Sequence, residues 1–272
     1  MSSDLKVCAI VGQLHEPRVA ECAALLVAEL QRRGLQVLLP AEDAADTLLA
    51  QLPRAPREEL PLRAQLVFSI GGDGTLLQSA RLVAPHDVPL LGINRGRLGF
   101  LTDVLPQDMA ACVDALVEGR CTADRRVLLE ARLLRARGEV TLCALNDVVL
   151  LRRETGRMLD FETRVSGAYV NSHSGDGFVV ATATGSTAYA LSCSGPIIDP
   201  RLNVLLMVPI CPHTLSDRPI VIPGDSAVEI NLQAQGEGRA DVTCDGALLG
   251  DMEAGDRLLI SDSSQRVTLL HP

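Results

Sequence analysis

Aromatic side chains are scarce in this chain: it has no tryptophan, two tyrosines and four phenylalanines in 272 residues. A protein that binds nucleic acid by stacking bases needs more rings than that. Positive charge is also short, with 25 Lys and Arg against 34 Asp and Glu and a net charge of −9. A generic polyanion partner is therefore excluded, and any phosphate must be met by local N–H groups, a divalent metal or particular arginines. No apolar run is long enough to cross a bilayer, and Ser3-Asp4-Leu5-Lys6 enters a strand-like run without a signal-peptide pattern. The eight cysteines form no C-x-x-C pair and no tight cluster with histidine, so they read as small hydrophobes in a reducing cytoplasm, and no metal site is expected. Internal repeats and low-complexity tracts are absent.

What is present has two rhythms. Up to about residue 121, strand and helix patterns alternate: Val7–Val11, a helical stretch with Val19, Cys22, Leu26 and Leu30 on one face, Leu35–Leu39, Leu66–Ile70, a helix from Thr75 to about Ala84, and Val88–Ile93. The proline-broken, charged region from Pro53 to Pro61 reads as loop. Beyond Arg120 come short extended segments rich in Val, Leu and Thr, among them Val127–Arg135, Glu139–Leu151 and Leu159–Val170. The pattern predicts an α/β N-terminal domain with a parallel sheet over residues 1–121, and an all-β, sandwich-like C-terminal domain over 122–272. Thr184 to Ser192 stands apart as a helix start among strands, with N-capping expected from Thr184 or Ser186.

The most informative stretch is Gly71-Gly72-Asp73-Gly74-Thr75 after a buried strand. Glycines allow a tight turn with outward N–H groups, and the helix that follows adds its positive end, which suits phosphate oxygens. Gly71, Gly72, Gly74 and Thr75 are the candidate donor-binding residues. Asp73 would repel phosphate oxygens and is better matched to a hydroxyl or a metal beside them. Phosphoryl transfer onto an alcohol follows as the first expectation. Parallel sheets bind ligands beyond the carboxyl ends of their strands, which is where Gly71–Gly74 and Asn94–Phe100 both fall. Arg95 and Arg97, on that second glycine-rich loop, are either phosphate-binding or simply solvated.

Taken together, Gly71–Thr75, Gly92–Asp103, Asn146-Asp147, Asp176-Gly177-Phe178, Thr184-Gly185-Ser186-Thr187-Ala188-Tyr189, Pro212-His213-Thr214-Leu215 and Cys244-Asp245-Gly246 make the chain resemble the NAD kinases. The glycine turn alone is shared with diacylglycerol, sphingosine and phosphofructo-kinases; the T-G-S-T-A-Y segment behind an Asn-Asp pair is far more specific. The resemblance implies transfer of the terminal phosphoryl group of ATP, another NTP or polyphosphate to the adenosine ribose 2′-hydroxyl of NAD. It implies Asp73 as general base, with Gly74 also against NAD, and Mg²⁺ or another divalent cation arriving with the nucleotide. Asn146 and Asp147 would contact the dinucleotide, and Asp176 would lie near its nicotinamide end. Thr187, Ala188, Tyr189, Ala190, Leu191 and Ser192 would line the adenosine pocket. Phe100 is either a second wall or a core residue, Arg157 falls where relatives carry a basic or polar group, and His213 reads as structural. A homo-oligomer, dimer or tetramer, is expected.

Departures from the family pattern leave a second reading open, a dinucleotide sensor with weakened catalysis. Ser174 stands where relatives commonly have arginine, Ala183 where they have proline, Ala247 where they have glutamine, and many relatives continue beyond His271-Pro272. A lipid or sugar kinase sharing only the turn is the third reading, and it leaves T-G-S-T-A-Y unexplained.

Overall fold

In a computed structural model, residues 5–42, 49–95, 99–153, 158–214, 216–233 and 239–272 are described. The chain divides into two compact units, 1–125 with 265–272 and 126–264.

In the first unit, strands β1 (Val7–Gly12), β2 (Gln36–Pro40), β3 (Arg54–Ala55), β4 (Leu66–Gly71) and β5 (Leu90–Asn94) lie in the order β3-β2-β1-β4-β5, all parallel. Helices α1 (Pro17–Arg32), α2 (Leu60–Arg63), α3 (Asp73–Val83) and α4 (Met109–Val117) alternate with them. The strands are nearly continuous apolar runs because both faces of a parallel sheet are covered. Cys22, Leu26 and Leu30 of α1 and Cys112, Val113 and Leu116 of α4 pack into one core with Ile10, Phe68 and Ile70. Residues 265–271 belong here too, and Leu269 pairs in parallel with Leu90 of β5.

The Pro53–Pro61 region is not loop. It contributes β3, a 3-10 turn at Arg57–Glu59 and the start of α2, because Pro61 occupies a first-turn position where its missing N–H has no cost.

The second unit is a sandwich of two antiparallel sheets. One contains β9 (Leu159–Val165), β10 (Ala168–Gly175), β14 (Val228–Leu232) and the start of β17 (Arg257–His271); β6 (Thr122–Arg135) and β7 (Gly138–Ala144) form a hairpin beside these elements in the same sheet. The other runs β13 (Ile220–Pro223), β12 (Val204–Ile210), β11 (Gly177–Thr182), β8 (Asp147–Arg152), β15 (Ala240–Cys244), β16 (Ala247–Met252). Alternate residues of both sheets, such as Phe161, Ile230 and Ile260 facing Leu150, Phe178, Met207 and Val242, fill the core.

Two segments read as single extended runs are broken. Leu159–Val170 is a hairpin turning on Ser166 and Gly167, both at positive φ. Glu139–Leu151 is two strands that part at Leu145-Asn146, and that break forms part of the candidate site.

Strands β8, β11 and β12 are buried on both faces. Their outer side, Val149, Val179, Ala181, Leu206 and Val208, is covered by Ala183, Ala190 and Ile198. The hydroxyl-rich segment is thus held against the second sheet by its small apolar residues.

Candidate functional site

In the first unit, β4 ends at Gly71 and α3 begins at Asp73, with Gly72 as an extended N-cap residue. The helix starts two residues earlier than the sequence pattern indicates, so Asp73 sits in its first turn, where the helix dipole favours a carboxylate. A side chain built on Gly72 or Gly74 would meet nothing within 4 Å, so open space lies beside the turn where donor phosphates are expected.

The Asp73 carboxylate does not fold back on its own backbone. It accepts the N–H groups of Phe100 at 2.9 Å and Leu101 at 3.2 Å, and the Thr102 hydroxyl at 3.3 Å. Thr102 in turn accepts from the Asn94 side-chain amide at 3.0 Å, at the end of β5. Two strand ends of the parallel sheet are thereby tied through one carboxylate. Gly99 makes the approach possible, because a Cβ there would lie 2.3 Å from both Asp73 oxygens. Asn94 and Thr102 carry no family expectation beyond their place in the Gly92–Asp103 stretch, and only the fold reveals their role.

Of the two readings of Phe100, the core one is excluded, because the residue is 73% exposed. Arg95 donates from its guanidinium to the Arg18 carbonyl at 3.0 Å and lies 3.6 Å from Glu21 of α1. Arg97, like Arg157 and Leu215, lies outside the described residues.

In the second unit, Asn146 and Asp147 sit at the break between β7 and β8, both buried. The Asp245 carboxylate, at the β15–β16 turn, accepts the N–H groups of Leu145 at 2.7 Å, Asn146 at 2.8 Å and Asp147 at 3.1 Å. Burial, then the neighbouring Asp245 charge, push the Asp147 carboxyl up to about 7, against a backbone hydrogen bond from Tyr189 that lowers it. The side-chain oxygen of Asn146 is buried with no hydrogen-bond partner, a group that a ligand donor could satisfy.

Tyr189 is 39% exposed. Partial burial and the nearby Cys193, Cys211, Asp176 and Asp147 raise its phenol above the ordinary value. Asp147 and Asp176 thus both lie near enough to act on the Tyr189 phenol. Asp176 is also paired with Arg152 at 2.8 Å, a cation the motifs did not single out.

The T-G-S-T-A-Y segment is a 3-10 turn, Thr184–Thr187, followed by one helical turn, Tyr189–Ser192. Its expected caps are corrected. The flanking residue is Ala183, with no side-chain cap. Thr182 does the capping instead, accepting the Gly185 N–H at 3.1 Å, while the Thr184 hydroxyl accepts from Arg126 and Ser186 bonds Ala183 and Ile198. Both expected cappers are buried inside the unit, so their hydroxyls hold the fold. Gly185 is needed for close approach, since a Cβ there would stand 2.1 Å from the Asn146 carbonyl oxygen.

Thr187 and Ala188 are half-buried, and Leu191 and Ser192 are exposed. Ala190 is fully buried in the core under β11 and β12, so its side chain cannot line a pocket. Ser174 is half-buried, with its hydroxyl 3.9 Å from the Met158 sulfur, and it supplies no charge. His213 bonds only through its backbone N–H, to the Ser174 carbonyl, among the contacts described.

Among the described residues no three His, Cys, Asp or Glu side chains gather to hold a metal. No helix among them is long and apolar enough to cross a membrane.

Residues 9–121 match the ATP-NAD kinase N-terminal domain and residues 145–271 the ATP-NAD kinase C-terminal domain. The chain is 43% identical to an NAD kinase of Aromatoleum aromaticum, over 100% of this chain and 91% of that one. It is 44% identical to an NAD kinase of Nitrosospira multiformis, over 100% and 92%. Its fold resembles yeast NADH kinase complexed with NADH, with a TM-score of 0.91 at 24% identity, covering 99% of this chain and 84% of that one. An NAD kinase from Archaeoglobus fulgidus in complex with ATP matches with a TM-score of 0.76 at 26% identity, covering 97% and 92%. With both domains matched and relatives this similar along its whole length, the chain belongs to the NAD kinase family.

Proposed function

We propose that this kinase moves the terminal phosphoryl group of ATP onto the 2′-hydroxyl of the adenosine ribose of NAD, giving NADP, with Asp73 receiving the hydroxyl proton. The observation that carries the assignment is the fixed Asp73 carboxylate. A carboxylate offers about four acceptor positions, and three are filled by Phe100, Leu101 and Thr102, which leaves room for one hydroxyl. Those three bonds hold the carboxylate in place, so Asp73 is positioned to orient the alcohol first and take its proton late. Late transfer suits a loose phosphoryl-transfer transition state, in which the nucleophile needs little activation before the bond forms.

The open space at Gly72 and Gly74 supports placing the donor phosphates against the first turn of α3. Asn146, Asp147, Asp176 and Tyr189 are assigned to the dinucleotide, as acceptors for its hydroxyl and amide groups and an aromatic wall for its base. Thr187, Ala188, Leu191 and Ser192 join them through exposed or half-buried atoms. A divalent cation, Mg²⁺ by preference, is assigned to the donor phosphates, with the Asp73 carboxylate at the turn beside them. When bound, that cation would neutralise phosphate charge.

A homo-oligomer and a cytoplasmic location complete the proposal. Exposed Ile220 and Val221 on the edge strand β13 support the first, and eight cysteines held outside any disulfide the second. Light scattering after size exclusion reads the oligomer directly.

The deciding experiment is NADP formation with a matrix of donors against NAD and NADH, run beside Asp73→Asn. Turnover by the wild-type chain with ATP and NAD, lost in the variant, is expected. Failure of the wild-type chain with every donor overturns the activity; full turnover by Asp73→Asn overturns the base.

A further inference from the structure

Between β7 and β8 the chain makes an abrupt break at Leu145-Asn146-Asp147, three residues that are 1%, 8% and 5% exposed. Buried N–H groups need acceptors, and at a strand break the sheet ladder does not supply them. One carboxylate receives all three: Asp245 bonds Leu145 and Asn146 at 2.7 and 2.8 Å and Asp147 at 3.1 Å. The bond is reciprocated, because the Asp245 N–H donates to the Asp147 carbonyl at 2.9 Å.

Asp245 reaches this position from an Asp-Gly hairpin turn. Its φ is +46° and that of Gly246 is +75°, the left-handed pair that a two-residue turn between β15 and β16 requires. Aspartate tolerates that conformation better than most residues, and its short side chain then points back along the backbone. The segment it holds is pinned on its other side as well, by Thr182 N–H to the Asn146 carbonyl at 2.9 Å and by the close approach of Gly185.

We propose that Asp245 is a positioning residue that fixes the Asn146-Asp147 backbone and so sets the reach of both side chains toward the dinucleotide. The proposal rests on the assignment of Asn146 and Asp147 to NAD given above. Asp245 touches no substrate in this scheme. It acts through three amides, and it adds a second effect, a negative charge beside Asp147. The groups that face the Asp147 carboxyl are Asp245, the Tyr189 phenol and N–H, and the Cys193 thiol. Of these, Asp245 is the neighbour whose charge keeps the Asp147 proton on, next to burial.

Asp245→Asn retains one acceptor oxygen and removes the charge. In the folded variant the KM for NAD should rise about tenfold, the loss expected when charged hydrogen bonds become neutral, while kcat and the KM for ATP stay within about threefold. The pH below which the KM for NAD climbs should move lower, because Asp147 ionises more easily without the like charge. A purely structural role would lower thermal stability and leave that pH limb in place. An unchanged KM for NAD with an unchanged limb overturns the proposal.

Should Asp245→Asn not fold, the wild-type chain still decides. Hydrogen exchange at the Leu145, Asn146 and Asp147 amides, expressed as protection factors, should be far slower than at loop amides; exchange at loop rates overturns the clamp. A wild-type chain that makes no NADP would sink the assigned activity instead, and the amide measurement would then judge the clamp alone.

Discussion

The carboxylate of Asp73 accepts the backbone N–H of Phe100 at 2.9 Å across 27 residues of sequence, which joins the glycine turn to the loop after β5. The carboxylate proposed as the base is therefore also a structural tie. Asp73→Asn can keep at most the two bonds that Leu101 and Thr102 make to one oxygen, and its amide then faces the Phe100 N–H, so the loop at 99–102 should loosen as the base is lost. The expected result is a fall in kcat of about 10²–10⁴ with NAD affinity retained, read by NADP production and calorimetric titration.

Gly99→Ala separates geometry from chemistry. The added methyl would overlap both Asp73 oxygens at 2.3 Å, so the carboxylate must move although its identity is unchanged. Turnover should drop about 10²-fold, the usual cost of displacing a reacting group by an ångström. Near-normal kcat would show that the position of the carboxylate is not critical.

Gly72→Ala is the complementary test. Its methyl enters open space, so folding should be unaffected and thermal unfolding should stay at the wild-type midpoint. If donor phosphates occupy that space, the KM for ATP should rise about tenfold or more while binding of NAD alone is unchanged.

Asp147 makes stability depend on pH. Its folded-state pKa, about 7, lies above the ordinary value of 3.8, so between the two the folded chain binds the proton more tightly than the unfolded chain. The contribution is fully present below the lower value and is lost as pH rises toward the upper one. Asp147→Asn should therefore stabilise the protein at pH 8 by at least about 1 kcal/mol and have little effect near pH 4, measured by urea unfolding. A variant less stable than wild type at pH 8 would contradict the burial argument.

His173 and Asp217 form a buried pair at 2.6 Å that the sequence motifs did not reveal, with Thr163 on the other ring nitrogen and Phe161 and Phe178 against the ring. Asp217→Ala leaves His173 and Asn171 without this acceptor and should cost about 1.5–3 kcal/mol in unfolding free energy. The shift in urea midpoint checks it.

The periodicities of the two halves carried the architecture, because apolar runs interrupted by helices and close-spaced alternating segments answer to different layer packings. The glycine turn singled out Asp73, and the family resemblance named Asn146, Asp147 and Tyr189 as candidates. Long-range hydrogen bonds were not legible. That Asp245 would hold a strand break about a hundred residues upstream, or that Thr102 and Asn94 would buttress Asp73, depends on which strands become neighbours. Local capping rules misplaced the role of Thr184 and Ser186, since burial under Ile198 and beside Arg126 gave their hydroxyls other partners. The contact of Arg95 with α1 was hidden for a similar reason: charge on a glycine-rich loop does not say which way the side chain turns.

The last strand has a consequence for biosynthesis. Residues 265–271 complete the parallel sheet of the first unit beside Leu90, yet they follow the whole second unit in the chain. Emerging from the ribosome, the α/β portion must wait, one sheet edge unfilled, until its neighbour has been fully translated. A nascent-chain pulse experiment should find protease resistance of that portion arriving late, together with the final residues, rather than when residue 125 clears the exit tunnel.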